Sequence, residues 1–220
     1  LRIGTSPNRQ IYITIQSSGR IVFRKNENGD ATYLRADSGT PHDGNWNHIL
    51  ISMDLTASPR GGIYFNGNNI TYQNTLDTNA IQTSTGSLLV GDSANFVGNI
   101  AQLAIWSGTD LRNDVATIYN NGSPNDLNNN GLTAPTTWWK LNADSVYTPS
   151  APNYTTALDF VASQSDYVEI ANSSSLNFTA NQDFSLSAWF KKSSNNWYGH
   201  IFKKGSIDPS WLLRFNNNNK

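Results

Sequence analysis

The sequence predicts an all-β fold, a two-sheet antiparallel sandwich with one short peripheral helix. Apolar and polar residues alternate in many short segments, as they do in strands with one buried face. Gly- and Asn-rich turns separate these segments, and Asn28-Gly29-Asp30 and Asn66-Gly67 are hairpin signals. Only one stretch has helical spacing, so the strands must bury their apolar faces mainly against one another.

Residues 1–122 contain most of the predicted strands. In residues 10–15, Ile11, Ile13 and Ile15 fall on one face. Residues 46–54 form the longest segment, with His48, Leu50 and Ser52 opposite a second face of Ile49, Ile51 and Met53. The other segments with this alternation are residues 19–24, 62–66, 70–73, 87–91 and 98–106.

The single helix is predicted after residue 108. Thr109 or Asp110 is expected to cap its first turn, and Gly122 stands where a glycine commonly follows a helix. The apolar stripe has i, i+4, i+7, i+8 spacing and consists of Leu111, Val115, Ile118 and Tyr119. Three turns are marginal in isolation, so we expect this helix to dock on a sheet.

A polar segment then separates two strand-rich parts. Residues 123–136 are rich in Asn, Pro and Gly and are the best linker candidate. Trp138 and Trp139 follow and are expected to fill the junction between the two parts. The strand candidates of the second part are residues 157–160, 167–170, 184–191 and 198–203.

Composition excludes several classes of protein. Fifteen basic and 16 acidic residues leave a net charge of −1, with no block of like charge. Nucleic-acid binding needs a basic face, so no nucleic-acid partner is expected. No apolar run approaches the ~18 residues of a spanning helix, so no membrane insertion is expected. The absence of Cys excludes disulfides, Cys-based zinc sites and thiol catalysis.

The chain is predicted not to be an enzyme. A glycoside hydrolase needs two carboxyl groups that flank the scissile bond, and on one strand they would alternate on a single face. The only glutamates, Glu27 and Glu169, stand in no such motif. The three histidines, at 42, 48 and 200, have no metal-binding spacing.

An aromatic and amide-rich loop carries the binding hypothesis. Sugars are commonly held by an aromatic ring against the pyranose and by amides for its hydroxyls. The residues that offer both are Asn195, Asn196, Trp197, Tyr198 and His200. They predict a ligand site for a glycan, with Trp197 folded back as a core cap as the alternative.

Calcium is the one cofactor that the residues suggest. Ca²⁺ takes six to eight oxygens from carboxylates, amides and backbone carbonyls. Asp92, Ser93 and Asn95, in the loop after residues 89–91, could supply several of them, and the other candidates are Asp54 with residues 55–60 and Asp43 with Asn45. The alternative is that these side chains form Asx-turns with their own backbone.

Several motifs together resemble concanavalin A-like domains of the laminin G type. In chain order they are Asn45-Trp46-Asn47-His48-Ile49, Ile63-Tyr64-Phe65-Asn66-Gly67, Leu89-Val90-Gly91, Phe96–Trp106, Ala157-Leu158-Asp159-Phe160, Asp166–Ile170 and Phe184–Phe190. The resemblance implies a jelly-roll sandwich. It also implies that His48 is hydrogen-bonded within a sheet, and the alternation of apolar residues places Trp46, Trp106 and Trp189 in the core.

The motifs occur in an unusual order, because the family's closing elements precede its opening elements. Residues 1–131 resemble the C-terminal part of such a jelly roll, 132–156 a junction, and 157–220 the N-terminal part. Two alternatives follow: one sandwich in circularly permuted order, or two part-domains of a tandem repeat that other chains complete.

The resemblance implies a non-catalytic module that binds carbohydrate or cell surfaces, located outside the cell, at the cell surface or on a virion exterior. The alternative is a structural subunit of a fibre, filament or capsid exterior that binds neighbouring copies of itself and no small molecule.

Overall fold

The computed structural model describes residues 10–16, 19–27, 30–37, 44–76, 88–91, 96–141, 157–161, 166–176, 182–192, 200–204 and 211–216. Its strands are β1 (Gln10–Gln16), β2 (Arg20–Glu27), β3 (Asp30–Asp37), β4 (Asn47–Met53), β5 (Gly61–Phe65), β6 (Asn68–Asn69), β7 (Thr71–Asn74), β8 (Leu88–Val90), β9 (Gly98–Ser107), β10 (Thr137–Trp139), β11 (Leu158–Phe160), β12 (Val168–Ile170), β13 (Phe184–Lys192), β14 (His200–Lys204) and β15 (Trp211–Asn216). One α-helix, α1 (Val115–Tyr119), and short 3₁₀ turns at Asn120–Gly122 and Ser174–Leu176 complete these elements. Within the described ranges, no helix has the length and hydrophobicity of a membrane span.

The strands form two stacked sheets, which confirms the predicted sandwich. The eight-stranded sheet has the order β12-β8-β14-β15-β1-β2-β3-β7. The seven-stranded sheet has the order β10-β9-β13-β4-β5-β6, and β11 also pairs with β9. Neighbouring strands are antiparallel except for β1 and β15, which are parallel.

Both predicted parts of the chain supply strands to both sheets. β13 lies between β9 and β4, so that Leu186 is opposite Ile51 on one side and Ile105 on the other. In the eight-stranded sheet, β15 lies between β14 and β1. Strands of both parts therefore belong to one sandwich, whereas the permuted order and the boundaries at 131 and 157 stay predictions.

The alternation predicted for β4 is confirmed, but both of its faces are buried. Ile49, Ile51 and Met53 belong to the core between the sheets, with residues such as Phe23, Leu34 and Phe190. Leu50 points to the opposite face, where it joins an outer cluster of Trp106, Leu111, Val115, Ile118 and Leu127. The seven-stranded sheet therefore has a second apolar layer on its outer side.

Residues 108–136 cover this outer side, and we call them the cover. The helix in it is shorter than predicted: it begins at Val115, and Asn120 in left-handed conformation ends it. The predicted caps at Thr109, Asp110 and Gly122 are therefore wrong. Trp138 packs on the outer cluster and Trp139 on the core between the sheets, because consecutive residues of β10 face opposite sides.

Asp110 caps no helix because it fastens the cover to the sheet. Its Oδ1 accepts a hydrogen bond from Ser52 Oγ at 2.7 Å, and Arg112 forms an ion pair with its Oδ2 at 2.8 Å. Burial raises the pKa of Asp110, but the hydrogen bonds from Arg112 and Ser52 lower it by more, so that it is below its ordinary value. The Leu111 N–H donates to Ser52 Oγ at 2.8 Å, and the Ser185 hydroxyl donates to Thr109 O.

We expect Ser52→Ala to reduce the free energy of unfolding by about 1–3 kcal/mol. The substitution leaves the buried Leu111 N–H without its acceptor and removes one donor to Asp110. Urea denaturation measures this loss. Ser174→Ala, at an exposed serine, is the matched control and should cost less than about 0.5 kcal/mol. Equal losses in the two variants would contradict the fastening role.

Candidate functional site

Two of the loops singled out from the sequence start and end side by side at one end of the sandwich. We call this the loop end; β4 begins and β13 ends there. β8 and β14 pair antiparallel, and the Gly91 N–H donates to Ile201 O at 2.6 Å. β9 and β13 also pair antiparallel, with Gly98 opposite Lys192. The 92–95 segment therefore begins beside the start of β14, where the 193–199 segment ends. It leads to the start of β9, beside the end of β13, where the 193–199 segment begins.

Most of the predicted ligand residues themselves lie outside the described residues. This applies to Asn195, Asn196, Trp197 and Tyr198, and to the calcium candidates Asp92 and Asn95. His200 is the first residue of β14 and is opposite Arg214 of β15. Among the residues that the structure describes, no group of three or more His, Asp or Glu could hold a metal ion. The glycan and calcium sites thus stay predictions.

A close backbone approach fixes the base of both loops. Gly98 has φ +145°, and a Cβ there would lie 1.9 Å from Lys191 O and 2.9 Å from Lys192 Cα. Only a glycine fits between these strands. Lys192 is buried in the adjacent interior, and burial lowers its pKa to about 8.

Several asparagines at the loop end are engaged in structure. Asn66 forms the predicted hairpin turn with φ +49°, and its Oδ1 accepts the His48 N–H at 2.8 Å. Its Nδ2 donates to Asn47 Oδ1 at 3.0 Å, and Asn47 Nδ2 donates to Asn45 O. These amides order the β5–β6 hairpin against β4.

Exposed apolar side chains are a feature of the loop end that sequence reasoning missed. Tyr167 is 51% exposed and Val161 is 36% exposed, and both flank the connection from β11 to β12. The Val161 N–H donates to Asp166 Oδ2 at 3.0 Å, which fixes their relative position. Tyr167 directly precedes Val168, whose side chain faces inward. The period-two alternation of strand residues could therefore have predicted that the Tyr167 side chain is exposed to solvent.

The buried aromatic residues follow the prediction with one correction. Trp106 and Trp189 are buried as expected. Trp46 is only half-buried, because it precedes the first residue of β4 and is not a strand residue. Trp189 stacks on Tyr119 of α1, with ring centroids 5.8 Å apart.

His48 is hydrogen-bonded within the sheet, as predicted. Its Nε2 lies 2.7 Å from Ser187 Oγ of β13, and the two side chains are 0% and 2% exposed. Burial lowers the pKa of His48 to about 3, so the ring is neutral across the physiological range. The Trp189 ring lies 4.9 Å away, and no carboxylate accompanies the pair among the residues that line its pocket.

Two stacked sheets that share one apolar core define a β-sandwich. A laminin G-like family model, described as the concanavalin A-like lectin/glucanases superfamily, matches residues 2–116, more than half of the chain. The chain therefore belongs to this family, as the motifs predicted. No curated protein and no solved structure shows a significant match to it.

Proposed function

We propose that the chain is a non-catalytic module that binds carbohydrate on a cell-surface partner through the loop end of its sandwich. The observation that carries this proposal is the adjacency of the two loop bases, beside an exposed tyrosine. The 92–95 connection runs from β8 to β9 and the 193–199 connection from β13 to β14, so both join the same two pairs of neighbouring strands. Tyr167 lies at the end of β12, the other neighbour of β8. The same proposal places the protein outside the cell, at a cell surface or on a virion exterior.

The chemistry of the loop end suits a sugar. An exposed aromatic face covers the apolar side of a pyranose, and amides and hydroxyls bind its rim. Tyr167 presents such a face. In the sequence of the 193–199 loop, Trp197 offers a second aromatic ring, and Asn195 and Asn196 offer the amides. Because Asn47 and Asn66 are already engaged with each other, we assign the ligand amides to the 193–199 loop.

The arrangement of the glutamates supports a non-catalytic role, and the two neighbouring aspartates, Asp54 and Asp110, are both engaged in ion pairs with Arg112. Glu27 and Glu169 stand on strands five apart in the eight-stranded sheet, roughly 24 Å at the usual strand spacing. Glycosidase carboxyl pairs are separated by only about 5–9.5 Å. His48 and Ser187 are buried beneath the cover, and the low pKa of His48 makes it a poor general base. Laminin G-like domains are in general non-catalytic.

A polysaccharide array followed by calorimetry on the best ligand tests the proposal. We expect Tyr167→Ala and Trp197→Ala each to raise the Kd at least about tenfold, since each removes a stacking face. Tyr72→Ala is the matched control: it is 56% exposed but lies on the opposite edge strand, roughly 34 Å away. Its Kd should be unchanged.

Each further outcome has a defined meaning. Loss of binding in EDTA and recovery with Ca²⁺ would support the Asp92 and Asn95 site; unchanged binding would remove calcium from the proposal. Equal affinities of all three variants would remove the loop end as the site. Absence of any glycan ligand, together with concentration-dependent oligomers in light scattering, would favour the self-assembling structural subunit.

A further inference from the structure

A small polar pocket lies between the seven-stranded sheet and its cover, on the side of that sheet that faces away from the core between the two sheets. The sheet contributes His48, Gln102, Ser187 and Trp189, and the cover contributes Ile118, Asn125 and Leu127. The pocket has a volume of about 10 Å³. This is the space that a single water molecule needs.

One buried polar atom at this pocket has no protein partner. His48 Nδ1 is fully buried and forms no hydrogen bond, whereas Nε2 of the same ring is bound to Ser187. Leaving such an atom unpaired costs about 1–3 kcal/mol, so a buried ring nitrogen usually has a partner. The pocket is where that partner can lie.

Proton counting indicates which tautomer the pair adopts. The neutral ring carries one N–H, and Ser187 has one hydroxyl proton. If Nε2 carried the proton, the Ser187 hydroxyl proton would need another acceptor and Nδ1 would need a donor. If Ser187 donates to Nε2, both atoms of that contact are satisfied, and only the Nδ1–H needs an acceptor.

We propose that the pocket binds one structural water molecule, which accepts a hydrogen bond from His48 Nδ1–H and links the sheet to the cover. Asn125 donates to Thr117 O, so its amide oxygen can accept from this water. Gln102 Oε1 accepts from Trp138 Nε1, so the Gln102 amide N–H groups can donate to it. The water then has about three polar partners, the usual number for a buried site.

A metal ion or a larger ligand does not fit this pocket. No carboxylate lines it, and a cation would be buried beside Ile118, Leu127 and Trp189 without a counter-charge.

The backbone conformation of Gln102 also indicates that its side chain is held at this pocket. Gln102 has φ +54° within β9, at the point where the register between β9 and β13 shifts, and this bulge turns its side chain toward the pocket. Such strained positions persist where the surroundings hold them.

The test is a nuclear magnetic resonance measurement on the ¹⁵N-labelled chain near neutral pH. Long-range ¹H–¹⁵N correlations report which ring nitrogen of each histidine carries the proton, and His48→Gln assigns its signals. We expect the proton of His48 on Nδ1, with a nuclear Overhauser cross-peak between that proton and the water resonance.

A pair of variants separates a bound water from an empty pocket. Asn125→Leu places methyl groups at the pocket, and we expect loss of the cross-peak with an otherwise native amide spectrum. Asn113→Leu, at an exposed asparagine of the cover, should retain the cross-peak. A proton on Nε2, or a proton on Nδ1 without a water cross-peak in the unmodified chain, would overturn the proposal. Neither result bears on glycan binding.

Discussion

Acidification from about pH 7.5 to about pH 5 is expected to reduce the free energy of unfolding by about 2 kcal/mol through His48 alone. The folded chain holds the pKa of His48 at about 3, against an ordinary value of 6.5. Below pH 6.5 the unfolded chain therefore takes up a proton that the folded chain refuses, so stability falls with pH in this interval. Burial causes the difference, because none of the residues lining the His48 pocket carries a charge.

Urea denaturation at several pH values measures this dependence. His48→Gln removes the titrating group. Between these two pH values, the free energy of unfolding of this variant should therefore change by less than about 0.5 kcal/mol beyond the change caused by the other ionisable groups. All other ionisable residues are the same in both chains, so their contributions cancel in the comparison. A slope that is the same in both chains would contradict the assignment to His48.

The aspartates affect a different pH range. Asp54 has a lowered pKa, mainly through its hydrogen bond from the Thr56 side chain, and the pKa of Asp110 is lowered as well. Their stabilising effect is complete above the ordinary aspartate pKa, 3.8, and is lost as the pH falls further. The interval from pH 6.5 to 5 therefore isolates the histidine.

Strand positions were largely predictable because burial of one face imposes a period of two. Ile49, Ile51 and Met53 show this in β4. β3 was missed because its apolar residues are few: among the side chains of β3 that the structure describes, Leu34 and Ala36 are in the core, and half of the strand is Asp, Thr or Arg. Its position depends on pairing with β2, which a local pattern does not encode.

The helix cap and the His48 pocket depend on contacts between distant residues. Asp110 has the residue type of a cap, but it bonds to Ser52, 58 positions earlier. Likewise His48 and Ser187 are 139 positions apart, and the bulge at Gln102 has no signature in its sequence. The order of the strands within the sheets was not predicted, since alternation alone does not reveal which strands are neighbours.

Gly98→Ala is expected to cost about 3 kcal/mol or more, the largest effect among the substitutions considered. Its Cβ would overlap the Lys191 carbonyl oxygen, so β9 and β13 would have to separate, and the φ of +145° disfavours any other residue. Gly108→Ala is the matched control: Gly108 also has positive φ, +77°, but open space around its Cβ position, so it should cost only about 1 kcal/mol.

Thermal and urea denaturation of the two variants separate steric overlap from backbone strain, because both variants carry the strain and only Gly98→Ala carries the overlap. Gly98 also fixes β9 and β13 at the point where the 92–95 connection ends and the 193–199 connection begins. We therefore expect Gly98→Ala to weaken glycan binding even at temperatures where it remains folded, whereas Gly108→Ala binds normally because residue 108 lies at the other end of β9. Equal stability of the two variants would mean that β9 and β13 do not approach as closely at Gly98 as the structure shows, and the common base of the two loops would then no longer support a single ligand site.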